Sequence, residues 1–287
     1  MQSSPLSGAD DIQAMRDLIA RLPATSLVDF DEQIQLASVR STVRVWRDEQ
    51  QVVGFAYVDD YDNLWFETLP EHPLLDELED QVIAWGVACI NVRNAHALDC
   101  SCSADDAHRI QLLERRGFER QSVRTLRYSR PLSAPVAAYP LPQGFSMRSV
   151  QGESEAERLV ALHRAAFGTQ HMTAEQRLAM MRAPGYIPEL DLVAVAPGGE
   201  LAAFCVCGFA DPERKIGYTD PIGTHPRYQR LGLAKALVSA GLIGLRKAGA
   251  QAAELGTSSE NAALQKLAAA LGFVCSAEKV WFSKVVA

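Results

Sequence analysis

The chain has 287 residues, 48% of them apolar and 22% charged. Those proportions belong to a globular protein and argue against disorder, collagen and coiled coil. At roughly 100–200 residues per domain, the length predicts two domains. The net charge of −7 disfavours nucleic acid as a partner, because a polyanion is repelled. No apolar run approaches the ~20 residues of a membrane helix, so no membrane partner is expected. Met1–Asp10 has neither a basic start nor an apolar stretch, so no secretory signal is expected and cytoplasm is the default. Charge is uneven: residues 1–130 hold 22 acids and 13 bases, a balance of −9, and contain no lysine. Residues 131–287 hold 13 acids and 15 bases, a balance of +2, so an anionic ligand should prefer the second half.

Taken in order, Asp10–Leu22 has helical spacing, and 43–46 and 52–58 look like strands joined by a polar turn. Leu64–Phe66 reads as a strand, 74–90 as a helix, 97–102 as a strand, 107–116 as a helix and 122–129 as a strand. Arg130–Gly144 has four prolines and almost no charge; proline removes backbone donors and fixes φ, so an extended linker is expected there. The expected domains are therefore 1–130 and 145–287, with 131–144 between them. Beyond the linker come a strand (145–150), a helix (153–167) and a helix opened by a Thr173/Gln176 capping box. Strands follow at 192–196, 201–209 and 216–224, then a helix (229–248), a strand (252–257), a helix (261–271) and a strand (280–286).

The order of elements repeats across the linker. Arg109–Phe118 aligns without gaps on Leu264–Phe273, at an offset of 155 residues. Each segment is a helix ending at a glycine suited to the left-handed cap, followed by a phenylalanine that starts a strand. This points to duplication.

Cysteine and histidine spacings carry no metal signature. Cys100-Ser-Cys102 and Cys205-Val-Cys207 put paired thiols on one strand face, as small core residues. Zinc sites show Cys-x₂₋₄-Cys with a second pair of ligands, and none is present, so no metal is expected.

The stretch with most chemistry is Asp220-Pro-Ile-Gly-Thr-His-Pro-Arg-Tyr-Gln-Arg-Leu-Gly-Leu-Ala-Lys235. A strand ends, a proline turn follows, and a long helix begins at Gln229. The first turn of a helix has free N–H groups and a positive dipole end. Gly232 lets a ligand approach the backbone, Ala234 adds only a methyl, and Arg230 and Lys235 add positive charge. Together they make a cradle for phosphate or pyrophosphate. The alternative is a strand–turn–helix whose glycine only serves packing.

Gln229-Arg-Leu-Gly-Leu-Ala234 fits the Gln/Arg-x-x-Gly-x-Gly/Ala signature of the GNAT superfamily of N-acetyltransferases, and residues 145–287 resemble that family. Asn261 with the helix ending Leu271-Gly-Phe273 is similar to the family's next motif. The first half resembles the same fold in outline only. The resemblance implies an α/β (α+β) protein of two GNAT-like domains, each a mixed, mostly antiparallel sheet flanked by helices, the first degenerate. It implies that acetyl-CoA is the cosubstrate and an amine-bearing molecule the acceptor. Amides of Gln229, Arg230, Leu231, Gly232, Leu233 and Ala234, helped by Lys235, would bind the pyrophosphate. Ile222, Gly223 and Thr224 would pair with the pantetheine arm, and Asn261 would touch it from the other side. Asp220 is the candidate base, with Tyr218 and Glu254 as weaker alternatives. On strand alternation Asp220 shares a side with Ile222 and Thr224.

One departure stands out. Where many family members carry a tyrosine that protonates the leaving thiolate, this chain has Ala268. A competing reading is therefore a CoA-binding or interaction protein with little turnover. In the first half, the counterpart of the signature is Leu69–Asp80, without glycine, and Asp59–Asp80 holds nine carboxylates and no Lys or Arg. Such a surface repels phosphate. The two readings of it are a degenerate copy kept for packing and a face that attracts a cationic substrate. The sequence is also compatible with an oligomer.

Overall fold

The computed structural model describes residues 1–22, 27–211 and 213–286. The chain opens with β1 (Gln2–Pro5), α1 (Ala9–Ala20), α2 (Leu27–Gln33) and α3 (Ala37–Thr42). There follow β2 (Arg44–Asp48), β3 (Gln51–Val58), β4 (Asn63–Thr68), α4 (Leu75–Arg93), β5 (Ala97–Ser103), α5 (Ala107–Arg115) and β6 (Glu119–Pro131). Then come β7 (Ser146–Ser149), α6 (Ala156–Phe167), α7 (Ala174–Arg182), β8 (Asp191–Val195), β9 (Leu201–Asp211) and β10 (Ile216–Thr224). The last elements are α8 (Leu233–Lys247), β11 (Ala252–Ser258), α9 (Ala262–Ala270) and β12 (Val274–Val285). Among the described residues no helix is long and apolar enough to cross a membrane.

Two compact units result: residues 1–125 with 277–287, and residues 126–276. In the first, β1, β2, β3 and β4 pair antiparallel in succession. β4 then runs parallel to β5 over only two pairs, Asn63–Asp99 and Leu64–Cys100. Lys279–Val285 of β12 pairs antiparallel with Ala97–Ser103 of β5. Leu78, Val82, Ile83 and Ile90 bury one face of α4 at helical spacing.

In the second unit β7, β8, β9 and β10 pair antiparallel, and β10 runs parallel to β11. β9 shows why its sequence is an unbroken apolar run. Phe204 and Val206 enter a core with Leu159 and Val160 of α6, while Cys205 and Cys207 enter another with Leu237 and Leu242 of α8. A strand covered on both faces has no polar side to present. Cys100, Cys102, Cys205 and Cys207 are buried free thiols, as the strand reading expects.

Two features differ from the sequence expectation. First, 277–286 groups with the first unit, and Leu126–Pro131 groups with the second, so the boundaries do not fall at the proline-rich segment. Chain order does not tell which sheet edge a final strand will join; the available edge does. Second, the 131–144 segment is not a free tether. The Leu132 N–H donates to Gln251 O at 2.8 Å, Ser239 Oγ donates to Ala137 O, and Val136, Tyr139 and Leu141 pack on the α8 core.

The repeat is visible in the caps. Asp106 accepts from Arg109 N at 2.9 Å at the start of α5, and Asn261 accepts from Leu264 N at 3.1 Å at the start of α9. The helices end at Gly117 (φ 77°) and Gly272 (φ 80°), and the next residues, Phe118 and Phe273, are buried. The 155-residue offset also carries β5, 97–103, onto β11, 252–258.

Candidate active site

The site is built where β10 and β11 part. They pair only at Ile216–Ala252, Gly217–Ala253 and Tyr218–Glu254. Beyond Thr219, β10 keeps its antiparallel pairing with β9 but has no β11 partner. An extended backbone with one edge unpaired offers donors and acceptors to an amide-containing ligand. Ile222, Gly223 and Thr224 form this stretch. Ile222 is buried toward α8, Gly223 is buried against Phe204 and Ala166, and the Thr224 carbonyl accepts from Gln229 Nε2 at 3.4 Å.

A short turn, Pro226–Tyr228, leads from β10 toward α8; its cap is His225, whose Nδ1 accepts from Arg227 N at 3.2 Å. The helix itself begins at Leu233, not at Gln229 as its sequence suggests. Arg230 (φ 64°) and Gly232 (φ 83°) both take left-handed backbone, which holds residues 229–232 as an open loop ahead of the helix. The first intrahelical bond runs from Ala236 N to Gly232 O at 3.1 Å. The amides of Leu233, Ala234 and Lys235 therefore open the helix without a helical carbonyl. No side chain caps them, and the first turn carries no acid. A Cβ on Gly232 would have nothing within 4 Å, so the space before these amides is free. Gln229, Arg230 and Leu231 are exposed beside it. The ammonium of Lys235 rests over the Tyr139 ring at 3.9 Å, a site where its charge is held near the helix start. The arrangement can hold an anion.

Asp220 stands at the mouth of the parted strands. The β10 register shifts between Thr219 and Ile222, which face Cys207 and Cys205 respectively. Three steps on β10 match two on β9, so the alternation that would align Asp220 with Ile222 and Thr224 is broken by a bulge. The Asp220 carboxylate lies against β11: a Cβ at Gly256 would sit 2.9 Å from its Oδ2. Only glycine lets the carboxylate come this close to that backbone. Of the weaker alternatives, Glu254 Oε2 lies 3.8 Å from Arg127 Nε, and Tyr218 packs against the α6–α7 core. The Asn261 side-chain carbonyl is taken up in capping α9. Ala268 is fully buried, and its carbonyl accepts from Phe273 N at 3.0 Å.

Sequence reading missed His163. Its ring packs between Phe167 and Phe204, with centroids 4.5 and 5.8 Å away, and it lines a small cavity with Pro221, the neighbour of Asp220. Its Nδ1 is buried without a hydrogen-bond partner. Burial, then the Arg177 charge, push its pKa down to about 4, so it is neutral at pH 7. No spacing in the sequence marks it, because the cavity is assembled from α6, α7, β9 and β10.

The first unit departs from this plan. α4 follows Leu74 with no positive-φ glycine, and Asp76 and Glu77 occupy its first turn. Among the described residues, Asp76, Glu79 and His108 come close enough together to be considered as metal ligands. Buried Glu79 is already engaged by His108 Nε2 at 2.8 Å, by Thr68 Oγ1 at 3.2 Å and by Arg109 Nε at 3.7 Å.

Residues 156–273 match the profile of the Acetyltransferase (GNAT) family. This stretch is a GNAT-family acetyltransferase domain. The GNAT domain thus contains the parted strands, the open loop and α8. Among curated relatives, a mycothiol acetyltransferase of Salinispora arenicola is 32% identical over 151 residues, which cover 50% of this chain and 49% of that protein. A mycothiol acetyltransferase of Propionibacterium freudenreichii is 27% identical over 224 residues, covering 73% and 66%. The chain spans about half the length of the curated relatives it matches. A solved tandem GNAT protein from the clavulanic acid biosynthesis pathway superposes with a TM-score of 0.77 at 17% identity, covering 100% of this chain and 98% of that one. That likeness shows the fold: mixed α/β, with mostly antiparallel sheet flanked by helices.

Proposed function

We propose that the GNAT domain transfers an acetyl group from acetyl-CoA to a primary amine by direct attack. One observation carries the reading: an uncapped helix start, cleared by Gly232, adjoins a strand edge left unpaired. Amides within Gln229–Ala234, with the charges of Arg230 and Lys235, suit the pyrophosphate. The free edge of Ile222–Thr224 suits the two amides of the pantetheine arm, and Asn261 approaches from the α9 side. The amine nitrogen attacks the thioester carbonyl carbon; a C–N bond forms, the C–S bond breaks, and the electron pair leaves on sulfur. The amine must first be neutral and must lose a proton, which Asp220 accepts directly or through water. Ala268 has no proton to give the sulfur, so water supplies it. A thiolate is a tolerable leaving group because thiol pKa values lie near 8.5.

The acceptor is taken to be a small molecule, and the relatives' name adds a mycothiol-type acceptor to the candidates. The test is acetyl-CoA mixed with the full chain and a panel of amines, read as free CoA. Amine-dependent CoA release supports the reading. Ala268 favours one alternative, a CoA-binding protein without turnover; saturable acetyl-CoA binding with no release on any amine would support it. Absence of acetyl-CoA binding would overturn both.

A further inference from the structure

Thr257 carries a buried hydroxyl that the fold does not use. The residue is 7% exposed, and its Oγ1 has no hydrogen-bond partner in the protein. By contrast, buried Thr219 and Ser239 of the same unit donate to backbone carbonyls, Glu254 O at 3.5 Å and Ala137 O. A hydroxyl shut away from water without a partner costs stability, and a valine of the same shape would avoid that cost.

Its place in the sheet gives the hydroxyl a use. The last pair between β10 and β11 is Tyr218–Glu254. At about 3.3 Å per residue, Thr257 stands roughly 10 Å into the gap beyond it. Alternation puts Thr257 on the face of Ala253 and Leu255, which are buried in the core with α8 and with Ala268 of α9. Gly256 is turned to the other face, where the Asp220 carboxylate lies. Carboxylate and hydroxyl thus flank the gap from opposite faces, one residue apart along β11.

On the acetyl-transfer reading, on which this inference rests, the arm of the thioester enters from the start of α8. It runs back along β10 from Thr224 toward Asp220. Its sulfur then lies at the level of Gly256 and Thr257, between the arm on the α8 face and the carbonyl carbon nearer Asp220. We infer that the Thr257 hydroxyl donates a hydrogen bond to this sulfur as the C–S bond breaks. The electron pair of that bond passes to sulfur. The hydroxyl keeps its own proton, because an aliphatic alcohol is a far weaker acid than a thiol, and water protonates the thiolate afterwards. A thioester sulfur is a poor acceptor and a thiolate a good one, so the interaction strengthens toward the transition state.

The test needs neither an acceptor nor turnover. Free CoA is bound to the full chain, and its thiol is titrated by the ultraviolet absorbance of the thiolate, by difference against the protein alone. The parent is compared with Thr257→Val, Thr257→Ala and Thr257→Ser. A hydrogen bond to a charged group is worth about tenfold or more, so the valine and alanine variants should raise the pKa of the bound thiol by about 1. Thr257→Ser should keep it near the parent's value, and affinity for CoA in its thiol form should change little in all three. Melting curves without CoA give the structural control: Thr257→Val should melt no lower than the parent, since it removes an unpaired buried hydroxyl. The inference is overturned if the bound thiol titrates alike in the parent and Thr257→Val, or if serine behaves like valine. It is also overturned if Thr257→Val melts lower without CoA, because the hydroxyl would then be bonded within the fold. Thr257→Ala adds no bulk and reports even if Thr257→Val does not fold. If the parent binds no CoA, the acetyl-transfer reading falls and takes this inference with it; binding without dependence on Thr257 removes this inference alone.

Discussion

Substitution of Gly232 separates backbone strain from ligand binding. Its φ of 83° is left-handed, and the space around a Cβ is empty within 4 Å. Gly232→Ala therefore meets no clash and costs only the left-handed conformation, roughly 1–2 kcal/mol. In a unit of this size that lowers Tm by about 2–4 °C per kcal/mol. Gly232→Glu carries the same strain, partly offset by about 0.3–1 kcal/mol from an acid at a helix N-terminus. Its carboxylate also stands before the open amides of Leu233, Ala234 and Lys235. Hydrogen bonds to a charged group contribute about 1.5–3 kcal/mol each, so blocking two should weaken acetyl-CoA by roughly 10²–10⁴-fold. Calorimetric titration of the parent and both variants, with a melting curve for each, reads the two effects. Gly232→Ala should bind within about tenfold of the parent. Gly232→Glu should melt no lower than Gly232→Ala yet lose binding. If folded Gly232→Glu binds acetyl-CoA as the parent does, the anion site is not at the start of α8.

Asp220→Asn should lower the rate of acetyl transfer by about 10²–10⁴-fold while changing acetyl-CoA affinity little; an unchanged rate across pH would remove Asp220 as base. Ala268→Tyr should not install the absent acid. The side chain is fully enclosed, so overpacking should cost about 1–3 kcal/mol or more, and a variant melting like the parent would refute that packing argument. His163 gives a pH prediction. Its pKa is near 4 folded against about 6.5 unfolded, so the unfolded chain binds more protons between these values. Its contribution is therefore fully present above about pH 6.5 and is lost as pH falls toward 4. His163→Leu should flatten the dependence of Tm on pH in that window; an unaltered slope would show that His163 is not the titrating group.

What could be read from the sequence was local chemistry. The terminal glycines at 117 and 272 and the Thr173–Gln176 capping box each act within a few residues, and the structure has them where expected, whereas the caps at Asp106 and Asn261 were not foreseen. Helices 27–33 and 37–42 escaped notice because they are short and are held by burial of Phe30, Leu36 and Val39. β1, Gln-Ser-Ser-Pro, has no apolar alternation and is a strand only because β2 offers an edge. At the site, the residues around Gly232 were legible, but the shape of their loop was not. The left-handed Arg230 is a non-glycine exception to local rules. The bulge at Asp220–Pro221 likewise defeats alternation, because it is set by how β10 fits β9. His163 and Pro221 meet only in three dimensions.

The pairing of Lys279–Val285 with β5 has a consequence during synthesis. A nascent polypeptide that has emerged only as far as α9 presents Ala97–Ser103 with a row of unsatisfied amides on one side. Its N-terminal core must wait through the making of the whole second unit before that row is closed. Such delayed closure slows folding and leaves a sticky border exposed to other chains. Binding by a chaperone in that interval would protect the border until the late strand arrives.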